Sequence, residues 1–393
     1  MSVIFFCILL VILGINFGLI EGRINGIPRE EELELERQLQ ILNKVPVRSF
    51  QNEDGSIFDC IEMNKQPAFD HPLLKNHTIQ LQPSSIPKGL FTTEVRARGA
   101  SKRTGVDCPM GTVPIRRTTK EDLLKAKALS TSFTMAQASP SGSHHLATSG
   151  TAASPPQGFY GVTAIISVYN VTVSENQSSG AGIWLQSLVN GQLDGIHYGW
   201  QVNPTAYGDH RVRTVAYWTA SSGKTGCYNL LCSGFVQTSN KYPLGAELQA
   251  SQPGGDNAHT MVVIIYKDSQ TGNWVVVESV DGGHVQIGYW PSTLFTGLAT
   301  SARAIQFGGE VVSPPGVPPP AMGSGRFEPP NLQRTSSISN IQFTDSTNRP
   351  YDPADVAITD VGDKCYQSKY LGDTQTGAGY ASLFGGPGGP SCM

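Results

Sequence analysis

The sequence predicts a mainly β protein: an antiparallel β-sandwich preceded by a small mixed α/β module. Three observations carry this reading. The chain of 393 residues holds 43 glycines and 26 prolines but only 15% charged residues. That is too few charges for a solvated disordered chain and too little helix-friendly composition for a bundle. Ten short runs rich in β-branched and aromatic residues follow residue 158, separated by turn signals such as DSQTGN and DGG. Helical periodicity, by contrast, is almost confined to the N-terminal third.

The elements follow in order. Val3 to about Ile20 is an apolar run without a charge. It reads as a secretory signal peptide, residues 1–22, cut after Gly22, leaving a secreted chain with no stable membrane anchor. A retained anchor is the competing reading, because the run approaches spanning length and no Lys or Arg precedes it. Residues 23–128 form the mixed module. In PREEELELERQLQILNK, Pro28 opens a helix with Leu35, Leu39 and Leu42 on one face and acids gathered at its start. A proline-broken extended stretch comes next, and then a second short helix at TTKEDLLKAKAL, with Thr118 and Glu121 as capping box. Residues 129–158 are rich in Ser, Ala, Gly, Thr and Pro without a period, which reads as a flexible linker and the expected place for a processing cut. His144 and His145 within it are expected to be solvated rather than metal ligands.

Residues 159–393 carry the strand runs: GVTAIISVYNVT, GIWLQSL, IHYGWQV, RTVAYWTA, GFVQTS, MVVIIYKD, NWVVVESV, HVQIGYW, AIQFGGEVV and SISNIQFTD. A short helix is expected at PSTLFTGLA and a turn-rich tail after Tyr370. Besides Cys7 in the signal run, six cysteines remain, an even number that suits disulfides in an exported chain. Six allow about fifteen connectivities; clustering favours neighbours, Cys60–Cys108, Cys227–Cys232 and Cys365–Cys392. No close Cys or His pair suits zinc, so neither a metal nor another cofactor is expected. Asn76, Asn170 and Asn176 head glycosylation sequons. A net charge of −3 and a pI near 6.2 give no footprint for nucleic acid.

The signatures GxSxG, HExxH and the P-loop are missing, and the cysteines are taken by disulfides, which leaves carboxylates for chemistry. Glu310 is the clearest candidate. In AIQFGGEVV it shares a strand face with Gln306 and Gly308, and paired glycines let another backbone come close. Glu278 and Glu247 are weaker candidates, more in keeping with structural roles. A similar face recurs in DGIHYGWQVNPTAYGD: Ile196, Tyr198, Trp200 and Val202 alternate with His197, Gly199 and Gln201.

The strings DCIEMNKQPAFDHPLLKNH and CPMGTVPIRRTTKEDLL, then GWQVNPTAYGD, GCYNLLCSGFVQ, GYWPSTLF and FGGEVV, resemble the plant neprosin family of secreted glutamic peptidases, over nearly the whole chain. The resemblance implies an activation-peptide domain followed by a double-sheet catalytic domain that cleaves peptides after proline. Two glutamates on facing strands would act as base and acid. Glu310 matches the second of them, but His197 stands where the first is expected. Gly199, Trp200, Gln201 and Gln306 become candidates for the substrate cleft. Expected partners are a proline-containing peptide or protein and the chain's own pro-region, which would cover the cleft until released. Pro140, Pro155 and Pro156 are then candidate self-cleavage points. Three roles for His197 stay open: a lesion that leaves an inactive binding protein, a substitute acid or base with an ordinary pKa near ~6.5, or a bystander while Gln201 or Glu278 completes the site.

Overall fold

A computed structural model describes residues 28–52, 54–87, 100–125, 144–255 and 258–392. The signal-like run, its cut at Gly22, and Pro140 lie outside the described residues. Among the described residues no helix is long and apolar enough to cross a membrane.

The N-terminal module starts with helix α1 (Arg29–Leu42), which has Glu30, Glu31 and Glu32 in its first turn. There they complement the partial positive charge of the unpaired N–H groups. Leu35 and Leu42 are buried, packed with Leu123 from a second helix that begins at residue 120. The cap of that helix falls one residue later than the sequence suggested. Thr119 and Asp122 exchange bonds, Thr119 N–H to Asp122 Oδ2 at 2.7 Å and Asp122 N–H to Thr119 Oγ1 at 3.1 Å. Thr118 is occupied elsewhere: its N–H donates to Asn43 Oδ1 at 2.9 Å, tying the two helices together. Strands β1 (Arg48–Gln51), β2 (Ile57–Glu62) and β3 (Thr112–Arg116) form a small antiparallel sheet in that order. The Cys60–Cys108 disulfide pins the loop before β3 to β2.

The sandwich strands are β4 (His144–Thr151), β5 (Gly161–Val168), β6 (Ser178–Val189), β7 (Gln192–Val202), β8 (Val212–Ala220), β9 (Thr225–Tyr228), β10 (Val236–Gln237), β11 (His259–Lys267), β12 (Trp274–Val280), β13 (Gly283–Trp290), β14 (Ala304–Val312), β15 (Ser336–Thr344), β16 (Pro350–Tyr351), β17 (Ile358–Val361), β18 (Gln367–Asp373) and β19 (Tyr380–Gly385). They make two antiparallel sheets. One runs β17-β4-β14-β6-β7-β8-β9; the other runs β10-β13-β12-β11-β5-β15-β19-β18, with β16 on β15. Alternation sends Ile183, Tyr198, Trp200, Trp218 and Phe307 inward from the first sheet, and Ile166, Val263, Trp274, Val276 and Trp290 inward from the second. Each such side chain taken out of water contributes about 1.5–3 kcal/mol, so this layer dominates the folding of the sandwich. Disulfides Cys227–Cys232 and Cys365–Cys392 close a β9 loop and the C-terminal tail.

Three expectations need correction. Residues 144–151 are not linker but a strand, paired with β14 on one side and β17 on the other. Their small residues suit the close packing there: Ala147 and Ser149 are fully buried, and Ser149 Oγ donates to Asp360 Oδ1 at 2.7 Å. The tail is also more regular than its turn residues suggest, because β18 and β19 pair along it. PSTLFTGLA, in turn, forms only a single 3-10 turn, Ser292–Leu294, because the chain leaves it in an extended Phe295.

The module closes one end of the sandwich. Leu74, from a 3-10 turn at Pro72–Leu74, is fully buried in the main core. Ala68, with Phe69 and Ile79, covers Val236, Ile264, Tyr266, Val275, Val277 and Tyr289 on the outer face of the larger sheet.

Candidate active site

The outer face of the smaller sheet carries three successive cross-strand rows. Register places Leu146, Glu310, Gly180, Gln201 and Arg213 side by side in one row. Thr148, Gly308, Gly182, Gly199 and Val215 form the next. Gly150, Gln306, Trp184, His197 and Tyr217 form the third. The middle row is therefore a trough of glycines, walled by Glu310 on one side and by Trp184 and His197 on the other. A cleft of about 180 Å³ opens on this face, lined among others by His144, Leu146, Thr148, Trp184, His197, Gln306 and Glu310, with none of the three glycines in its lining.

Glycine at 182 has a specific task. The imidazole Nε2 of His197 lies where a Cβ on residue 182 would stand. The ring therefore lies down across β6 toward β14, with Trp184 stacked on it at 4.4 Å between centroids and 11° between planes. Gly199 meets the Ala181 carbonyl just as closely, so it shapes the floor.

Glu310 is 7% exposed and lies within reach of His144, whose Nε2 is 3.3 Å from Glu310 Oε2. Burial by itself pushes the Glu310 carboxyl up. The hydrogen bond from His144, with the charges of His197 and His144, outweighs it and holds the group below its ordinary value. Burial lowers His197 more than the nearby Glu310 charge raises it, so its ring is the more readily neutral. The charge of His197 therefore helps Glu310 only in acid, and at neutral pH the His144 bond is the one that counts. Four buried polar atoms on this face have no partner: both ring nitrogens of His197, Thr148 Oγ1 and Gln201 Nε2. An unpaired buried polar atom costs about 1–3 kcal/mol, and these four lie in three neighbouring rows of one face.

The sequence-derived candidates divide cleanly. Glu310, His197, Gln306, Gly199 and Gln201 share the cleft face. Trp200 does not: it is fully buried on the inner face, where its Nε1 donates to Ser167 O at 2.9 Å. Alternation requires this, since Trp200 is one residue from Gly199 and so points the other way. Glu278 cannot complete the site either, because it too points into the sandwich, bonded to Tyr198 Oη and paired with Arg103 at 2.6 Å. Glu247 pairs with Arg211. His144 is the residue that sequence reasoning placed wrongly, and Trp184 was passed over. The alternation of Trp184 and Gln186 against Ile183 and Leu185 in GIWLQSL was the signal for the latter. Among the described residues no group of His, Cys, Asp and Glu is arranged to hold a metal. Of the sequons, Asn76 and Asn176 are exposed and Asn170 is half-buried.

Protonation of His197 should be readable in stability. Its folded-state pKa is depressed, so the unfolded chain takes up the proton first as pH falls below about 6.5. The stability it contributes is complete above that pH and declines below it, by at most about 1.4 kcal/mol per pH unit. His71, His77 and His284 are depressed by burial as well. Thermal melts are expected to fall from neutral toward pH ~5, and His197→Gln to remove part of that slope. An unchanged slope in the variant counts against a neutral buried His197.

The described residues thus form a two-sheet antiparallel sandwich with a part-buried ionisable pair beside a cleft on one outer face and an N-terminal module packed against the larger sheet. The Neprosin family profile matches residues 175–387 and the Neprosin activation peptide profile residues 49–152. The chain belongs to the neprosin family. Among solved structures, scytalido-glutamic peptidase with a peptide-based transition state analog aligns at a TM-score of 0.31 and 11% identity, over 62% of this chain and 98% of that one. SCP-B, an eqolisin-family peptidase in complex with the tripeptide Ala-Ile-His, aligns at 0.26 and 11%, over 62% and 97%. A β-porphyranase from the human gut bacterium Bacteroides plebeius aligns at 0.20 and 9%, over 72% and 88%.

Proposed function

We propose that this protein is a secreted endopeptidase of the glutamic class that cleaves peptides after proline, at a rate reduced by the histidine at position 197. The supporting observation is the Glu310–His144 pair on the outer face of the smaller sheet, which carries unpaired buried polar atoms of Gln201 in the same row, Thr148 in the next and His197 in the third. Secretion rests on the apolar run before Arg23 and on three disulfides.

An extended peptide laid in the cleft would run over the His197 ring, which covers Gly182, and beside Thr148 and Gln306. Leu146, Trp184, Leu193 and Tyr217 give the cleft apolar walls that suit a prolyl ring. Glu310, ionised, takes a proton from the attacking water as general base. His144 holds the carboxylate oxygen in place. The neutral ring of His197 retains one N–H, which can donate to the scissile carbonyl as negative charge develops on its oxygen. The proton that Glu310 took from the water passes to the leaving amine as the C–N bond breaks; with no second carboxylic acid to supply one, that transfer is the slow part.

A second reading, a peptide-binding protein without turnover, is favoured by one observation: His197 is 2% exposed and both its nitrogens are sealed off. Incubation with proline-containing peptides, with products identified by mass, separates the two. Slow cleavage on the carboxyl side of proline supports the peptidase; saturable binding without products supports the second reading. If turnover is seen, His144→Gln should lower kcat about 10-fold with little change in KM, and should move the acid limb of the pH profile toward higher pH. A pH profile that does not move would remove His144 as a positioning residue.

A further inference from the structure

The N-terminal module is held to the sandwich by more than surface contact. Residues 100–108 run along the edge of the sandwich, with Ser101, Arg103, Val106 and Cys108 turned inward and Lys102, Thr104 and Asp107 exposed, and are bonded to β11 and to the loop between β10 and β11. Ser101 N–H donates to Thr260 O at 2.8 Å, Thr104 N–H to Glu247 O at 3.0 Å and Val106 N–H to Lys241 O at 2.7 Å. Gln249 N–H returns a bond to Lys102 O at 2.8 Å. From this segment Arg103 enters the interior. Its guanidinium pairs with Glu278, the side chains being 0% and 3% exposed, and it also donates to Pro243 O. Glu278 in turn accepts from Tyr198, which follows His197 on β7.

Three further anchors act with it. Leu74 is part of the main core. Gln66 and Gln237 exchange buried bonds at 2.8 and 3.1 Å. Asp54 pairs at 2.6 Å with Arg213, on the cleft side of the smaller sheet. A removable cover is expected to resemble a transient interface, polar and wet at its edges. Here the module supplies a core leucine and the counter-charge of a carboxylate buried inside the other domain. Without it Glu278 would be a buried charge with no cation, and the outer face formed by Ile264, Tyr266, Val275 and Val277 would lose its Ala68 cover.

We propose that residues 29–125 are a lasting partner of the sandwich: when the connection between Lys125 and His144 is cut, the module stays bound as a second chain, with Arg103 as its deepest anchor. Among the described residues the module lines no part of the cleft of about 180 Å³, so retention leaves the cleft open on its described side. The proposal does not depend on turnover, and its test does not measure any.

The full chain, carrying one engineered protease site between residues 130 and 140, is cut after purification and passed over a size-exclusion column at neutral pH. Co-elution of the two fragments, separable only in denaturant, is the expected result. Separation under native conditions overturns the proposal, and this arm needs no interior mutation. In the same cut chain, Arg103→Met should speed dissociation on the order of 100-fold, because it strands Glu278. Arg103→Met with Glu278→Met should restore much of the retention. A single variant that dissociates no faster than the parent would remove Arg103 as the anchor.

Discussion

His197→Glu is expected to raise kcat on a prolyl peptide on the order of 100-fold or more, the usual contribution of a positioned acid or base. The geometry accommodates the change. The imidazole reaches over Gly182 with its Nε2, and a glutamate carboxyl has nearly the same reach from Cβ. The trough leaves room for it because Gly182 has no side chain there. A second carboxyl facing Glu310 would also alter the electrostatics in the direction that catalysis requires. Two carboxyls sharing a site cannot both ionise easily, so one is held protonated as acid while the other stays charged as base.

The substitution should also shift activity toward acid. In the parent, His144 and, at low pH, His197 favour the charged form of Glu310. With Glu at 197 one of those supports becomes a competitor, and the pair titrates as a unit. His197→Gln serves as the control: it keeps a hydrogen-bonding group but adds no acid, so it should gain nothing. A folded His197→Glu that turns over no faster than the parent would mean that residue 197 is not the lesion.

Alternation made the central part of the site legible in the sequence. His197, Gly199 and Gln201 were separable from Ile196, Tyr198 and Trp200 because a strand residue two positions on returns to the same face. The same rule placed Gln306, Gly308 and Glu310 together. Which strands lie side by side was not legible, because pairing between β14, β6 and β7 is non-local and depends on the whole sheet. Trp184 therefore went unnoticed although it stacks on His197. His144 was hidden by composition: SHHLATSG has the small polar residues of a linker, yet small residues are what a strand wedged between β14 and β17 needs. Arg103 had no local signal at all. Its importance comes from a partner, Glu278, that lies 175 residues away in sequence.

Glu310→Gln is expected to abolish cleavage, with a loss of about 100-fold or more, both in the parent and in the His197→Glu background, while peptide binding persists. The amide has the shape of the carboxylate and can still bond to His144 through its oxygen, so the strand and the trough should be unchanged. What it loses is charge and basicity. Glu310 is the carboxylate that the site keeps ionised against its own burial, and such an expense is understandable only if the charge is used in the chemistry or if the group is a structural partner of His144. The two possibilities differ in what happens to stability. If the carboxylate serves mainly as a structural partner of His144, Glu310→Gln should destabilise the fold, because the bond between them is weakened. If the charge serves catalysis, activity falls while the melting temperature holds or rises, as is common when a buried ionised group at a working site is neutralised. Measuring kcat and thermal stability on the same preparation distinguishes a working base from a structural one, and cleavage that survives Glu310→Gln removes Glu310 from the chemistry.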